Sequence, residues 1–328
     1  MPTLGNPRRT FVIFNPASGR GVGAKRIDLY LNLLSERLPG FEHAETSRPG
    51  EEGALATQAV TDGYQLIVAV GGDGTWSNVA DRLVALRKPD VALGLLASGT
   101  GNDFGRNFGI STRNPAEAVD VLAQGAVTQV DVGRIVTTGV PVRDTVSQPT
   151  GASGIAGRHF LNLVGFGFDV AVIEDAAGAR FLSGELLYKV TALKNLFSYK
   201  GVALELASDE AEVRGNQLML TISNAPFFGG GFLIAPTADM YDGLLDVCAI
   251  GDAPPFTRMR LFSMAPKGKH ITSPLVHTEK NSFFTVRFAS PPKYEVDGEL
   301  WQADGNDVGI EVAPAALRIV VPRAAPKK

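Results

Sequence analysis

The chain has 328 residues, 45% of them hydrophobic and 20% charged, with a formal net charge of −3. That length exceeds a usual single core, so two domains are expected, and the composition excludes extensive disorder. The charge gives no overall pull toward nucleic acid, and the single cysteine, Cys248, excludes an intramolecular disulfide. Four scattered histidines beside one cysteine argue against zinc. No apolar stretch reaches the roughly 20 residues needed to cross a bilayer. The N-terminus "MPTLGNPRRT" has no apolar signal segment. The expectation is a cytoplasmic protein whose membrane contact is peripheral.

In chain order, "TFVIF" (10–14) predicts a buried strand, followed by the glycine-rich turn "NPASGRGVG" and a helix through "AKRIDLYLNLLSERL". "FEHAET" predicts a second strand and "GEEGALATQAVTDG" a second helix. "YQLIVAV" is apolar on both faces, as a central parallel strand is. After "GGDGT" (71–75) a helix runs through "WSNVADRLVALR", then a strand through "VALGLL" and a helix through "PAEAVDVLAQG", closed by Gly125. Strict alternation of strand and helix predicts an α/β domain with an open, mostly parallel sheet.

From about Val130 the pattern changes. "TQVDVGRIVT", "RHFLNLVGFGFDV", "GVALELAS", "QLMLTISNA", "LLDVCAI", "FFTVRFA", "KYEVDGEL" and "LRIVVP" read as strands, with one helix over 180–198. Such a run predicts an all-β, sandwich-like domain. The polar segment 138–157 reads as an exposed excursion. The expected domains are 8–133 and 134–325, with the extreme C-terminal segment packing back on the first.

Ligands of open α/β sheets bind beyond the carboxyl ends of the strands. Three glycine-rich stretches sit there: "NPASGRG", "GGDGT" and "ASGTGNDFGRN". Glycine lets backbone N–H groups approach a polyphosphate closely, and a helix start adds a favourable dipole. Three such turns together predict a phosphate-binding crevice. No "GK[ST]" follows the glycines, so this is not a Walker A loop. The ribose-binding acid of a dinucleotide fold is also not evident.

The motifs "NPASG" (15–19), "GGDGT" (71–75), "GTGNDFGR" (99–106) and a late "VDGE" (296–299) resemble those of the diacylglycerol kinase catalytic family, in order and over nearly the whole chain. That family includes bacterial lipid kinases and sphingosine kinases, and its first domain also resembles that of NAD kinases. The resemblance implies a nucleotide domain followed by a β-rich lipid domain. Asn15, Pro16, Ala17, Ser18 and Gly19 would cradle nucleotide phosphates, with Thr46 nearby. Gly71, Gly72, Asp73, Gly74, Thr75, Trp76 and Ser77 would wrap ATP, joined by Thr100, Asn102 and Asp103. Glu299 matches the proposed general base, and Asp73 is a second catalytic candidate. Asp239, Asp242 and the Leu244 carbonyl match a structural divalent-cation site, distinct from the Mg²⁺ that accompanies ATP. Two departures stand out. Trp76 is followed by Ser77-Asn78 where the family commonly has Asn-Glu, and Ala97-Ser98-Gly99-Thr100 lacks a family proline.

The activity so implied is ATP-dependent phosphorylation of a lipid hydroxyl, with diacylglycerol giving phosphatidic acid as the leading case. A sphingoid base, a long-chain alcohol or a soluble NAD-like acceptor are the alternatives, as is a nucleotide-binding regulator without turnover. The expected partners are nucleotide and a lipid substrate at a membrane surface, with no nucleic acid; a homodimer is allowed. The helix over 180–198 sets Leu186, Val190, Leu193 and Phe197 on one face. Such a face suits either its own sheet, which is favoured, or an anionic bilayer.

Overall fold

Short, wholly apolar strands alternate with helices through the first 130 residues of the computed structural model, which describes residues 9–141, 157–177, 184–207 and 212–323. The chain forms two units; it leaves the first after Asp131 and returns to it at Ala315. The first contains β1 (Thr10–Phe14), α1 (Ser18–Arg37), β2 (Glu42–Glu45), α2 (Glu52–Thr61), β3 (Leu66–Gly71), α3 (Asp73–Leu86), β4 (Ala92–Ala97), α4 (Asp103–Asn107), α5 (Pro115–Gln124) and the start of β5 (Ala126–Ile135). Its strands lie in the order β2-β1-β3-β4, all parallel, with Val12 opposite Val68 and Val68 opposite Gly94. β3 and β4 are buried at every residue, which explains their unbroken apolar sequence.

Helix boundaries follow local chemistry. α5 opens on Pro115, and the Asn114 side chain accepts the Glu117 N–H. α3 closes at Arg87 in the left-handed conformation, φ 49°. α1 starts earlier than the sequence predicts. The segment expected as turn is already helical at Ser18, and Gly23 lies inside the helix, at a place where a Cβ would come 2.3 Å from the Asn15 carbonyl oxygen.

The second unit holds β6 (Gly139–Pro141), β7 (His159–Phe160), β8 (Leu163–Gly167), α6 (Phe168–Ala177), α7 (Gly184–Ser198), β9 (Val202–Ala207), β10 (Glu212–Ser223), β11 (Phe227–Phe228), β12 (Phe232–Leu233), β13 (Leu245–Gly251), α8 (Pro255–Met264), β14 (Val276–Asn281), β15 (Phe283–Phe288), β16 (Lys293–Val296), β17 (Glu299–Ala303) and the first part of β18 (Asp307–Val321). β10 pairs antiparallel with β9, β8 and β13, and β8 continues through β16 and β17 to β6. β18 pairs with β15 over Asp307–Glu311; further on, within the first unit, its Ile319 pairs parallel with Leu93 of β4.

Strand alternation divides the second unit's core in two. Val247 and Ala249 join Phe166, Leu206, Ile222, Phe284 and Val296 on one side. Cys248 and Ile250 join Leu196, Leu261 and Ala265, where α7 and α8 pack, on the other.

Other elements also differ from the sequence reading. The run 158–170 is not one strand: after Gly167, at φ 106°, it turns into α6, which packs Phe168, Val172 and Ala176 at helical spacing. α8 and β14 lie where the sequence suggested no element. α8 is masked in the sequence by Arg258, a buried cation on its inner face. Residues 142–156 of the excursion read over 138–157, and 180–183 of the predicted helix, lie outside the described residues.

Candidate active site

The three glycine-rich turns are joined to one another by hydrogen bonds within the first unit. Asn15 follows β1, and its amide donates to Thr75 Oγ1 at 2.9 Å and to Glu52 Oε1 at 3.0 Å. Its Oδ1 accepts the Ala17 N–H, so this side chain ties its own turn to the second. The Ser18 hydroxyl lies 2.7 Å from that of Ser98, joining first turn to third. The Gly71 carbonyl accepts the N–H groups of Ser98 and Gly99, joining second to third.

Glycine is required by contact at this rim. A Cβ on Gly99 would lie 2.4 Å from Gly72 Cα, and one on Gly19, at φ 57°, 2.4 Å from the Ser98 carbonyl oxygen. α1 and α3 both begin here, so backbone N–H groups and helix dipoles favour an anion. Asn102, left-handed at φ 54°, donates to the Gly99 carbonyl and shapes the third turn. Thr46 closes β2 with its N–H on the Phe14 carbonyl, at the same end of the sheet. Thr100 is exposed.

Asp73 and Asp103 open α3 and α4. Asp73 Oδ1 accepts the Phe104 N–H at 3.0 Å, and Asp103 lies 3.5 Å from the Arg106 guanidinium. Two carboxylates at adjoining helix starts supply the hard oxygen donors that suit Mg²⁺.

One predicted contact needs correction. Trp76 is fully buried, and its indole N–H donates to the Ala69 carbonyl at 3.1 Å. Its place on α3 turns the ring into the core, against Gly105, and away from any ligand on the rim. Ser77 is likewise buried. Sequence reasoning passed over Ser98 and Glu52, both buried in support of the turns. A small polar residue directly after an apolar strand was the available signal for Ser98.

In the second unit the "VDGE" segment is a β-hairpin turn between β16 and β17. Asp297 and Gly298 both have positive φ, 48° and 87°, as a tight two-residue turn demands. The Asp297 carboxylate accepts three backbone N–H groups, from Leu161 at 2.7 Å, Asn162 at 2.8 Å and Leu163 at 3.2 Å. It is a staple for the turn. Glu299 follows with a side chain 39% exposed, 4.0 Å from the Arg158 guanidinium.

Beneath this turn lies a pair of acids that the sequence did not single out. Glu295 Oε2 accepts the Gly298 N–H at 2.7 Å. Its Oε1 and Asp169 Oδ2 are buried without a hydrogen-bond partner among the described residues. Both oxygens crowd Gly165, lying 2.9 and 1.6 Å from where a Cβ there would sit. Burial pushes the Asp169 carboxyl up to about 7, and burial beside Asp169 holds Glu295 well above the usual carboxylate range. The two carboxyls titrate together, and a proton held on either one relieves the like-charge repulsion of this buried place.

In the acidic loop 236–247 several of the expected donors are engaged within the protein. Asp239 Oδ1 takes the Tyr241 N–H, and Asp242 Oδ1 the Leu244 N–H. Asp242 Oδ2 meets the Lys280 ammonium at 2.8 Å, which also donates to the Thr237 carbonyl and lies 3.4 Å from Asp246. The lysine already supplies the local positive charge. Among the described residues no three His, Cys, Asp or Glu side chains gather as metal ligands.

Sequence comparison agrees with this architecture. The sequence model of the diacylglycerol kinase catalytic domain matches residues 9–135, and that of the YegS C-terminal NAD kinase beta sandwich-like domain matches residues 162–321. The chain is 31% identical to a diacylglycerol kinase of Mycobacterium tuberculosis over 317 residues, 94% of each chain. It is 26% identical to one of Bacillus subtilis over 296 residues, 89% of this chain and 90% of that one. A solved diacylglycerol kinase of Bacillus anthracis str. Sterne superposes with a TM-score of 0.69 at 17% identity, over 97% of this chain and 98% of that one, a likeness of fold alone. Fold, motifs and relatives together define a lipid kinase. The chain belongs to the diacylglycerol kinase catalytic family.

Proposed function

We propose that this protein transfers the γ-phosphoryl group of ATP to the free hydroxyl of diacylglycerol, giving phosphatidic acid and ADP. The observation that carries the reading is the rim itself: three turns linked through Asn15–Thr75, Ser18–Ser98 and Gly71–Ser98, with no room for side chains at Gly19 or Gly99. Backbone held that close to a ligand suits a polyphosphate, whose transfer depends on positioning and charge neutralisation.

In this reading residues 15–19 and 71–75 bind the phosphates, and Asp73 and Asp103 are the residues that would hold Mg²⁺, which would supply charge neutralisation for the transferring group. Glu299 accepts the proton of the lipid hydroxyl as its oxygen bonds to the γ-phosphorus and the bond to the β-phosphate oxygen breaks. The proton ends on the Glu299 carboxylate.

The test uses γ-labelled ATP, Mg²⁺ and mixed micelles carrying diacylglycerol, a sphingoid base or a long-chain alcohol, with NAD as a soluble acceptor in parallel. Labelled phosphatidic acid is expected; label in NADP or in no acceptor overturns the reading. Glu299→Gln should lower turnover by at least about 100-fold and leave ATP binding unchanged.

A further inference from the structure

We infer that the outer faces of α7 and α8 are a docking surface for an anionic lipid bilayer. The inner residues of both helices, among them Leu196 and Leu261, are spent on the core beneath them. Five large apolar side chains remain outside. Val190, Leu193 and Phe197 recur at the spacing of one helical face and are each about half exposed, and beside them α8 shows Phe256, 81% exposed, and Met259. The two helices are tied together: Arg258 of α8 donates through Nη1 to the carbonyls of Leu196 and Tyr199, at 3.1 and 2.7 Å, at the end of α7. The exposed rings of Phe197 and Phe256 therefore belong to adjoining helix ends.

Charge selects the occupant. The chain carries a net −3, yet residues 253–278 contain four Lys and Arg and not one Asp or Glu. Arg258 is committed to Asp252, while Arg260, Lys267 and Lys269 are exposed and make no ion pair among the described residues. Lys200, just beyond α7, is exposed as well. Aromatic and aliphatic side chains ringed by cations insert into the interfacial zone of a membrane while the cations meet anionic headgroups. A neutral protein partner would give no reason for the missing acids. The inference deepens the proposed function, since it rests on a substrate that resides in a bilayer, but it is measured without catalysis.

The experiment is flotation of the full chain, without nucleotide, on vesicles of phosphatidylcholine alone or mixed with phosphatidylglycerol. Binding is expected to the mixed vesicles, to weaken with salt, and to be much lower on the neutral ones. Phe256→Asp with Met259→Asp should reduce it at least about tenfold. Lys267→Glu with Lys269→Glu should reduce it roughly fivefold or more for each charge removed. Both variants should keep the parent's melting temperature. Equal binding to both vesicle types, no binding, or binding indifferent to either variant overturns the inference. So does a change of oligomeric state in the apolar variant, which would make the face a contact between copies. Phosphorylation of a short-chain diacylglycerol dissolved below its micelle threshold reports separately on the catalytic reading.

Discussion

Asp169 and Glu295 make the sharpest prediction about a single pair of residues. Both carboxyls are held above their ordinary values, chiefly by burial, so the folded state binds protons that the unfolded chain releases. Their contribution to stability is therefore full below about pH 4 and is lost as pH rises through about 7. The Asp297 carboxylate on the turn repels a negative charge on Glu295 and so acts in the same direction. Glu295→Gln keeps an acceptor for the Gly298 N–H and adds an amide donor toward Asp169. Urea unfolding at pH 5 and pH 8 should show the parent losing more stability between the two than the variant does. At the same scale Lys280→Met should cost about 1 kcal/mol and, by freeing the Asp242 and Asp246 carboxylates, make the melting temperature rise more steeply with Mg²⁺ than that of the parent. Asp73 and Glu299 stood out in the sequence because they lie in the motifs "GGDGT" and "VDGE". The buried acids did not, because nothing in "GFGFDV" or "KYEVDG" shows that two strands and a helix bring 169 and 295 to the same glycine.

Among the elements, the turns of the first unit are the most constrained. Gly99→Ala would push a methyl group into Gly72 and part the second turn from the third. A loss of about 1–3 kcal/mol is expected in thermal unfolding, with ATP affinity falling more than stability alone explains, as a titration of binding heat would show. Strands such as "LIVAV" were legible because burial on both faces leaves only apolar residues. α6 was not, since "VGFGFDVAV" is apolar at strand and helix spacing alike and only Gly167 separates the two. α8 was hidden for the opposite reason, a guanidinium at an inward position where a hydrophobic residue is the rule. The "VDGE" turn was read both as a hairpin and as a place for a catalytic acid; the hairpin is present, and its Asp297 is consumed in holding it.

For the whole molecule, the first unit is discontinuous in sequence. Ile319 is fully buried and pairs with Leu93, beside Leu317 and Val320. Ile319→Ala should destabilise that unit by about 2–5 kcal/mol, seen in chemical denaturation as a loss from β4 protection in hydrogen exchange. The run "LRIVVP" carries Arg318 between Leu317 and Ile319, and Leu317, Ile319 and Val320 are the residues it buries on its return.

That return also dictates an order of events during synthesis. A ribosome releases residues 9–131 long before it makes 315–321, so the nascent sheet waits with the flank of β4 open while some 180 residues are added. An N-terminal fragment expressed alone would keep that flank bare and tend to associate through it. Supplying residues 315–323 as a separate peptide should restore its solubility.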